Sequence, residues 1–180
     1  MTKLTTIAIA ILLSILNAVG QEQKTNIRKA VQIETANQKD GLTSINDAYT
    51  LHLDLDATET DSPVLVISIT LHKGSYYISP NSKGENTGKF FMDLGSITDI
   101  EFKGALQENP LSKEVFENKQ QVNWVKENTT YKQALQVKSL HDFEVFGRIR
   151  FTIEPRCSLE EIPFGITYKN GKYTITNPKC

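Results

Sequence analysis

Cysteine is scarce in this chain, with only Cys157 and Cys180 among 180 residues. That scarcity excludes a disulfide-dense scaffold and a four-cysteine zinc site built from one copy of the chain. A mixed site is disfavoured as well, because His52, His72 and His141 lack the close ligand spacing such sites use. Charge of one sign is also missing: 20 basic residues face 21 acidic ones, for a net charge of -1. Without a basic stripe there is no electrostatic footprint for nucleic acid, and no nucleic-acid partner is expected. Helical periodicity is nearly absent. No serine or cysteine sits in a nucleophile elbow, and no glycine-rich loop joins a strand to a helix, so neither a hydrolase nor a phosphate-cradling motif is present. No metal and no cofactor is expected.

The longest apolar run lies at the start. Lys3 precedes Ile7 to Leu16, then Ala18-Val19-Gly20 places small residues where a signal peptidase reads, and polar Gln21-Glu22-Gln23-Lys24 follows. The run is short of the ~20 residues that cross a bilayer. Residues 1–20 therefore read as a cleaved export signal, and no cysteine follows that could carry a lipid. The mature chain has no second run long enough to span a membrane. Its expected location is periplasmic or secreted, in an oxidising compartment.

Residues 21–46 are polar and amide-rich, with no sustained period, and read as a linker or N-terminal arm with room for one short strand. From Tyr49 the pattern changes. Leu51, Leu53 and Leu55 alternate with His52, Asp54 and Asp56, as a half-buried strand requires. After a turn-rich stretch, Val64 to Leu71 is a β-branched run that reads as a more deeply buried strand paired with the first. Short strand candidates follow at Tyr76 to Ile78, Phe90 to Leu94, Ile100 to Lys103, Val122 to Lys126, Lys132 to Lys138, Glu144 to Glu154, Phe164 to Tyr168 and Tyr173 to Thr176. Between Ile166 and Ile175, Asn170-Gly171 supplies the positive φ angles of a tight type I′ turn, which predicts a hairpin. Residues 47–180 are thus expected to form one all-β domain, an immunoglobulin-like antiparallel β-sandwich.

Cys157 and Cys180 form the leading chemical candidate. Their number is even, and a bridge between them would close a loop of about twenty residues, contributing roughly 3 kcal/mol in the chain-entropy view. Three states stay open: a structural staple, a redox pair, or no intramolecular bond. Arg156 beside Cys157 and Lys179 beside Cys180 are placed in sequence to favour thiolates. His52, Asp54 and Asp56 would spread ligands about 7 Å apart along one strand, too far for one ion. Glu160-Glu161 point apart on an extended chain and read as solvated. Trp124, Phe143, Phe146, Phe151, Tyr168 and Tyr173 are expected mostly in the core or in cross-strand pairs. Asn128-Thr129-Thr130 matches a glycosylation acceptor in a predicted turn, relevant only in a eukaryotic secretory host.

From Leu71 onward the sequence resembles the periplasmic N-terminal domain of the thiol:disulfide interchange protein DsbD and the disulfide-bond corrector family. Leu71-His72-Lys73-Gly74-Ser75-Tyr76-Tyr77-Ile78-Ser79-Pro80 is similar to the family's strand end and glycine turn. Val122 to Val137 looks like its charged hairpin, and Gly147 to Ile153, then Cys157 and Pro163-Phe164, like the strand leading to its redox cysteines. The resemblance implies an immunoglobulin-like domain that passes electrons between thiol proteins by disulfide exchange. It breaks at the reacting residues. The family's first cysteine would fall near Glu154, Pro155 or Arg156, so only Cys157 can be carried over. The covering loop would fall near Asn109-Pro110-Leu111-Ser112-Lys113, which has neither its aromatic nor its glycine.

The sequence therefore points to an exported single-domain sandwich that binds another exported or membrane protein and has no catalysis of its own. The alternative is a thiol:disulfide exchange protein using Cys157 and Cys180, with Cys157 as the attacking thiolate. Its electron donor would be another polypeptide, a thioredoxin-like or thiol-transporter protein.

Overall fold

The structure is a computed structural model that describes residues 41–178 apart from 60–61, 84–85, 96–98, 118–119 and 140. The export signal, most of the N-terminal arm, Lys179 and Cys180 lie outside the described residues. Among those described there is no helical element, and no helix long and apolar enough to cross a membrane. The twelve strands among the described residues form an all-β antiparallel sandwich, as the sequence predicts.

In chain order the strands are β1 (Leu42–Ile45), β2 (Tyr49–Asp56), β3 (Val64–Leu71), β4 (Tyr77–Ile78), β5 (Phe91–Leu94) and β6 (Ile100–Asn109), followed by β7 (Glu114–Glu117), β8 (Gln120–Val125), β9 (Thr129–Val137), β10 (Phe143–Ile153), β11 (Ser158–Lys169) and β12 (Lys172–Thr176). One sheet has the order β1-β2-β3-β9-β6, a second β12-β11-β10-β5, and a third β4-β8-β7. Reciprocal backbone bonds between Tyr76 and Glu154, at 3.1 and 2.8 Å, tie the third sheet to the end of β10.

The leucine alternation of β2 works as the sequence predicts: Leu51 and Leu53 are buried and His52 and Asp54 face outward. β3 pairs with it from Tyr49 opposite Leu71 to Asp56 opposite Val64. It is buried on one face only, through Leu65, Ile67 and Ile69, so the continuous apolar run marks a half-buried strand. These residues meet Phe151, Ile149, Phe164 and Ile166 of the second sheet in one core. Phe151 lies at its centre, with ring centroids 5.1 Å from Tyr49, 5.2 Å from Tyr77 and 5.8 Å from Phe90. Such aromatic pairs add about 0.5–1.5 kcal/mol each beyond the area they bury. The hydroxyls of Tyr77 and Tyr131 share a buried hydrogen bond of 3.0 Å, which answers the polar ends of two otherwise apolar side chains.

Several strands depart from the sequence expectation for local reasons. β6 runs on to Asn109 past a register shift between Lys103 and Gln107, where the buried Gln133 amide donates to the Lys103 carbonyl at 3.1 Å. β11 begins at Ser158 although it contains Pro163. β12 pairs only with Gly165 to Lys169, so among the described residues the earlier half of β11 is a sheet edge, where a residue without an N–H is tolerated. Gly147 is required by close approach: a Cβ there would stand 2.5 Å from the Phe164 ring and 2.7 Å from the Asp93 carbonyl. The Asn170-Gly171 turn has the expected positive φ at both residues, 52° and 77°. Of the aromatics placed in the core, Phe146 is instead exposed on the outer face of β10, because it alternates with inward Val145 and Gly147.

Candidate functional site

Residues 154–157 connect β10 to β11, and Cys157 closes this four-residue loop with a φ of 51°, in the left-handed region. The side chain is exposed, and its thiol donates to Glu154 Oε2 at 3.1 Å. That hydrogen bond, together with the negative charge of Glu154, pushes the thiol pKa up. A group held protonated in this way is a poor nucleophile.

Arg156 does not assist it, which corrects the expectation from sequence adjacency. Its guanidinium donates to Asp47 Oδ1 and to Glu160 Oε1, both at 2.6 Å, because two carboxylates are better acceptors for it than a thiol. Cys180, the other half of the predicted pair, lies outside the described residues together with Lys179.

Glu160 is the node of the surrounding network. Alternation points it inward at the end of the sandwich while Glu161 points out, so the two do part as predicted, but Glu160 is not a solvated side chain. Its Oε1 also accepts from Ser158 Oγ at 2.7 Å, and its Oε2 accepts from Tyr49 Oη at 3.0 Å and Asn46 Nδ2 at 3.3 Å. Burial opposes ionisation of this carboxyl, but the hydrogen bonds from Ser158, Arg156 and Tyr49 outweigh it and hold the pKa below the usual range. The Tyr49 hydroxyl is pushed far up, first by burial and then by Glu160. Asn46 Oδ1 in turn accepts from the backbone N–H groups of Ala48 and Tyr49, shaping the β1–β2 turn. The network thus fastens that turn to the Cys157 hairpin.

The predicted row of His52, Asp54 and Asp56 is divided among local partners: His52 Nδ1 meets Thr43 Oγ1 at 2.9 Å, Asp54 accepts from the Leu55 N–H, and Asp56 accepts from Thr58. Asn128 lies in the β8–β9 turn as expected, with its Oδ1 accepting from the Leu71 N–H.

Tyr76 leads from the Cys157 hairpin to a second feature that sequence reasoning missed. Besides bridging to Glu154, it packs edge-on to Trp124 at 5.0 Å and lies under Lys126 Nζ at 5.5 Å. Trp124 and Lys126, with Pro110, Lys113, Val115 and Thr129, line an open cavity of about 280 Å³. Its outer boundary is β7, the terminal strand of its sheet, which is hydrogen-bonded on one side to β8. Val115 faces the cavity and Phe116 stands on the other face of the strand, 71% exposed. Leu111, on the segment leading into β7, is 67% exposed. The segment matched by sequence to the family's covering loop therefore leads into an edge strand. The signal was Val115-Phe116 between glutamates, too short to register as alternation.

No family model and no curated protein matches the chain. Among solved structures it is similar to the N-terminal periplasmic domain of ScsB from Proteus mirabilis, at 15% identity and a TM-score of 0.49 over 71% of this chain; the chain spans 49% of that structure's length. It is also similar to the GAE domain of GGA2p from Saccharomyces cerevisiae, at 9% identity and a TM-score of 0.40, over 72% of this chain and 98% of that one. Neither likeness, at such identities and TM-scores, bears on what this chain does.

Proposed function

We propose that the chain is an exported binding module without catalysis of its own, and that it takes an extended segment of another exported or membrane protein along the free edge of β7. The observation that carries this reading is the coincidence of a strand edge that is unpaired among the described residues with an apolar cavity and with the exposed Leu111, Val115 and Phe116. An edge strand offers a row of backbone donors and acceptors to an incoming strand, and a pocket for alternate side chains gives specificity. The rim carries Lys113 and Lys126 against Glu127, so the segment combines apolar residues at alternate positions with a carboxylate. With only four residues in β7, affinity in the micromolar range is expected. The elevated thiol pKa of Cys157 supports binding over disulfide exchange, which needs a thiolate.

Photo-crosslinking in the producing cells tests the reading. A benzoylphenylalanine at position 116 should give one discrete protein adduct, and the same probe at Thr174, on β12, should not. The adduct should disappear in Val115→Asp. Equal crosslinking from both positions, or none from 116, would sink the proposal.

A further inference from the structure

The backbone groups that β7 leaves free are fixed by what its neighbour β8 bonds on the far side. In an antiparallel pair, residues standing opposite one another either exchange both backbone bonds or neither, in alternation along the ladder. Asn123 of β8 directs both of its groups away from β7: its N–H donates to Ser82 Oγ at 3.1 Å, and its carbonyl accepts from the Ser79 N–H at 2.8 Å. Ser79 and Ser82 belong to the chain that continues from β4, on the other side of β8. Asn123 stands opposite Glu114, so that pair exchanges no backbone bond, and Glu114 turns its N–H and C=O to the edge that is open among the described residues. By the same alternation Val115 is bonded to Val122, while Phe116, opposite Gln121, faces outward again. Glu114, Val115 and Phe116 are all exposed.

We propose that β7 reads a three-residue core in the segment it binds: two residues that must carry an N–H, flanking one apolar residue that need not. This rests on the edge-binding reading above. An incoming antiparallel strand sets one residue opposite Phe116 and one opposite Glu114, and each exchanges both of its backbone bonds there. The residue between them stands opposite Val115 with its own N–H and C=O turned away, so a methyl group on that nitrogen is accepted. Its side chain shares the face of Val115 and reaches the cavity lined by Pro110, Val115 and Trp124. A volume of about 280 Å³ equals some nine waters at ~30 Å³ each, room for one large aliphatic or aromatic side chain. The antiparallel register also fixes direction: the residue two places C-terminal to this anchor lies opposite Lys113, which lines the same cavity and favours an acid there. The recognised order is therefore an apolar anchor, one residue with a free N–H, then Asp or Glu.

Amide exchange of the free mature protein, followed by NMR at two concentrations about tenfold apart, tests the register. The Val115 N–H should be protected, and those of Glu114 and Phe116 should exchange at least about tenfold faster at both concentrations. Similar rates at all three positions overturn the proposal. So does protection of Glu114 and Phe116 that grows with concentration, which assigns the edge to a second copy of the chain. The core is then tested with the peptide identified from the crosslinked adduct at position 116, N-methylated one residue at a time. Methyl groups at two positions separated by one residue should each weaken binding at least about tenfold, and a methyl group on the residue between them should change it less than about threefold. Lys113→Glu should weaken binding about threefold or more, with partial recovery when the acid of the peptide is changed to lysine. Uniform tolerance of N-methylation, or equal loss at three consecutive positions, overturns the core and leaves edge binding, which the adduct reports, in place. Absence of any adduct while the exchange alternates overturns the edge-binding reading and the core together.

Discussion

The Tyr49 hydroxyl donates to Glu160 Oε2 at 3.0 Å, across 111 residues of sequence and from one sheet of the sandwich to the other. With Arg156 and Ser158 on its second oxygen, Glu160 has its acceptor sites filled at the end of a packed core. A glutamine in its place keeps one acceptor oxygen but turns the other into an NH2 group that faces donors, Tyr49 and Asn46 on one side or Arg156 and Ser158 on the other, and it removes the charge that pairs with Arg156.

Glu160→Gln should therefore lower stability at neutral pH by about 1–3 kcal/mol, read from urea unfolding. The effect is pH-dependent. Because the folded carboxyl titrates below its unfolded value, its contribution is fully present above about pH 4.3 and is lost as pH falls through the folded value. The gap between wild type and Glu160→Gln should be constant from pH 7 to about pH 5 and narrow below that. A gap that widens on acidification would contradict the network.

The Cys157 thiol should be slow to react. Its alkylation rate with iodoacetamide should reach half its maximum above the ordinary thiol value of about 8.5, since Glu154 raises its pKa. Glu154→Gln should bring the midpoint down and speed alkylation at pH 7. A midpoint at or below pH 7 in the wild type would restore the thiolate reading.

Tyr77 and Tyr131 test whether their buried hydroxyls matter as a pair. Tyr131→Phe alone should cost about 1–3 kcal/mol, because it strands the Tyr77 hydroxyl in the core. Adding Tyr77→Phe should recover part of that loss, and a double-mutant cycle measures the coupling. Strict additivity would mean that the hydroxyls act independently.

What was legible in the sequence follows from range. β2, β3 and the β11–β12 hairpin announce themselves because alternation and the Asn170-Gly171 turn are local properties of the chain. β1 and β7 are four residues each and fall below the length at which a period shows. The alternation that marks β6 in the sequence stops at Lys103 because a bulge follows there, and the start of β11 is hidden because Pro163 and Gly165 look like punctuation until the edge that accommodates them is known. The site was less legible than the fold. Adjacency placed Arg156 beside Cys157, but its partner Asp47 lies 109 residues away, and only the folded chain brings it near. The cavity beside β7 joins segments from β6 to β9 that carry no motif of their own.

The central claim is that partner binding uses the β7 edge and not the Cys157 thiol. The most direct measurement is calorimetric titration of the partner segment captured by the crosslink at 116 into wild type, Val115→Asp and Cys157→Ser. The account predicts that Cys157→Ser binds within about twofold of wild type while Val115→Asp weakens binding at least about tenfold, some 1.4 kcal/mol. Loss of binding in Cys157→Ser with Val115→Asp unaffected would contradict it.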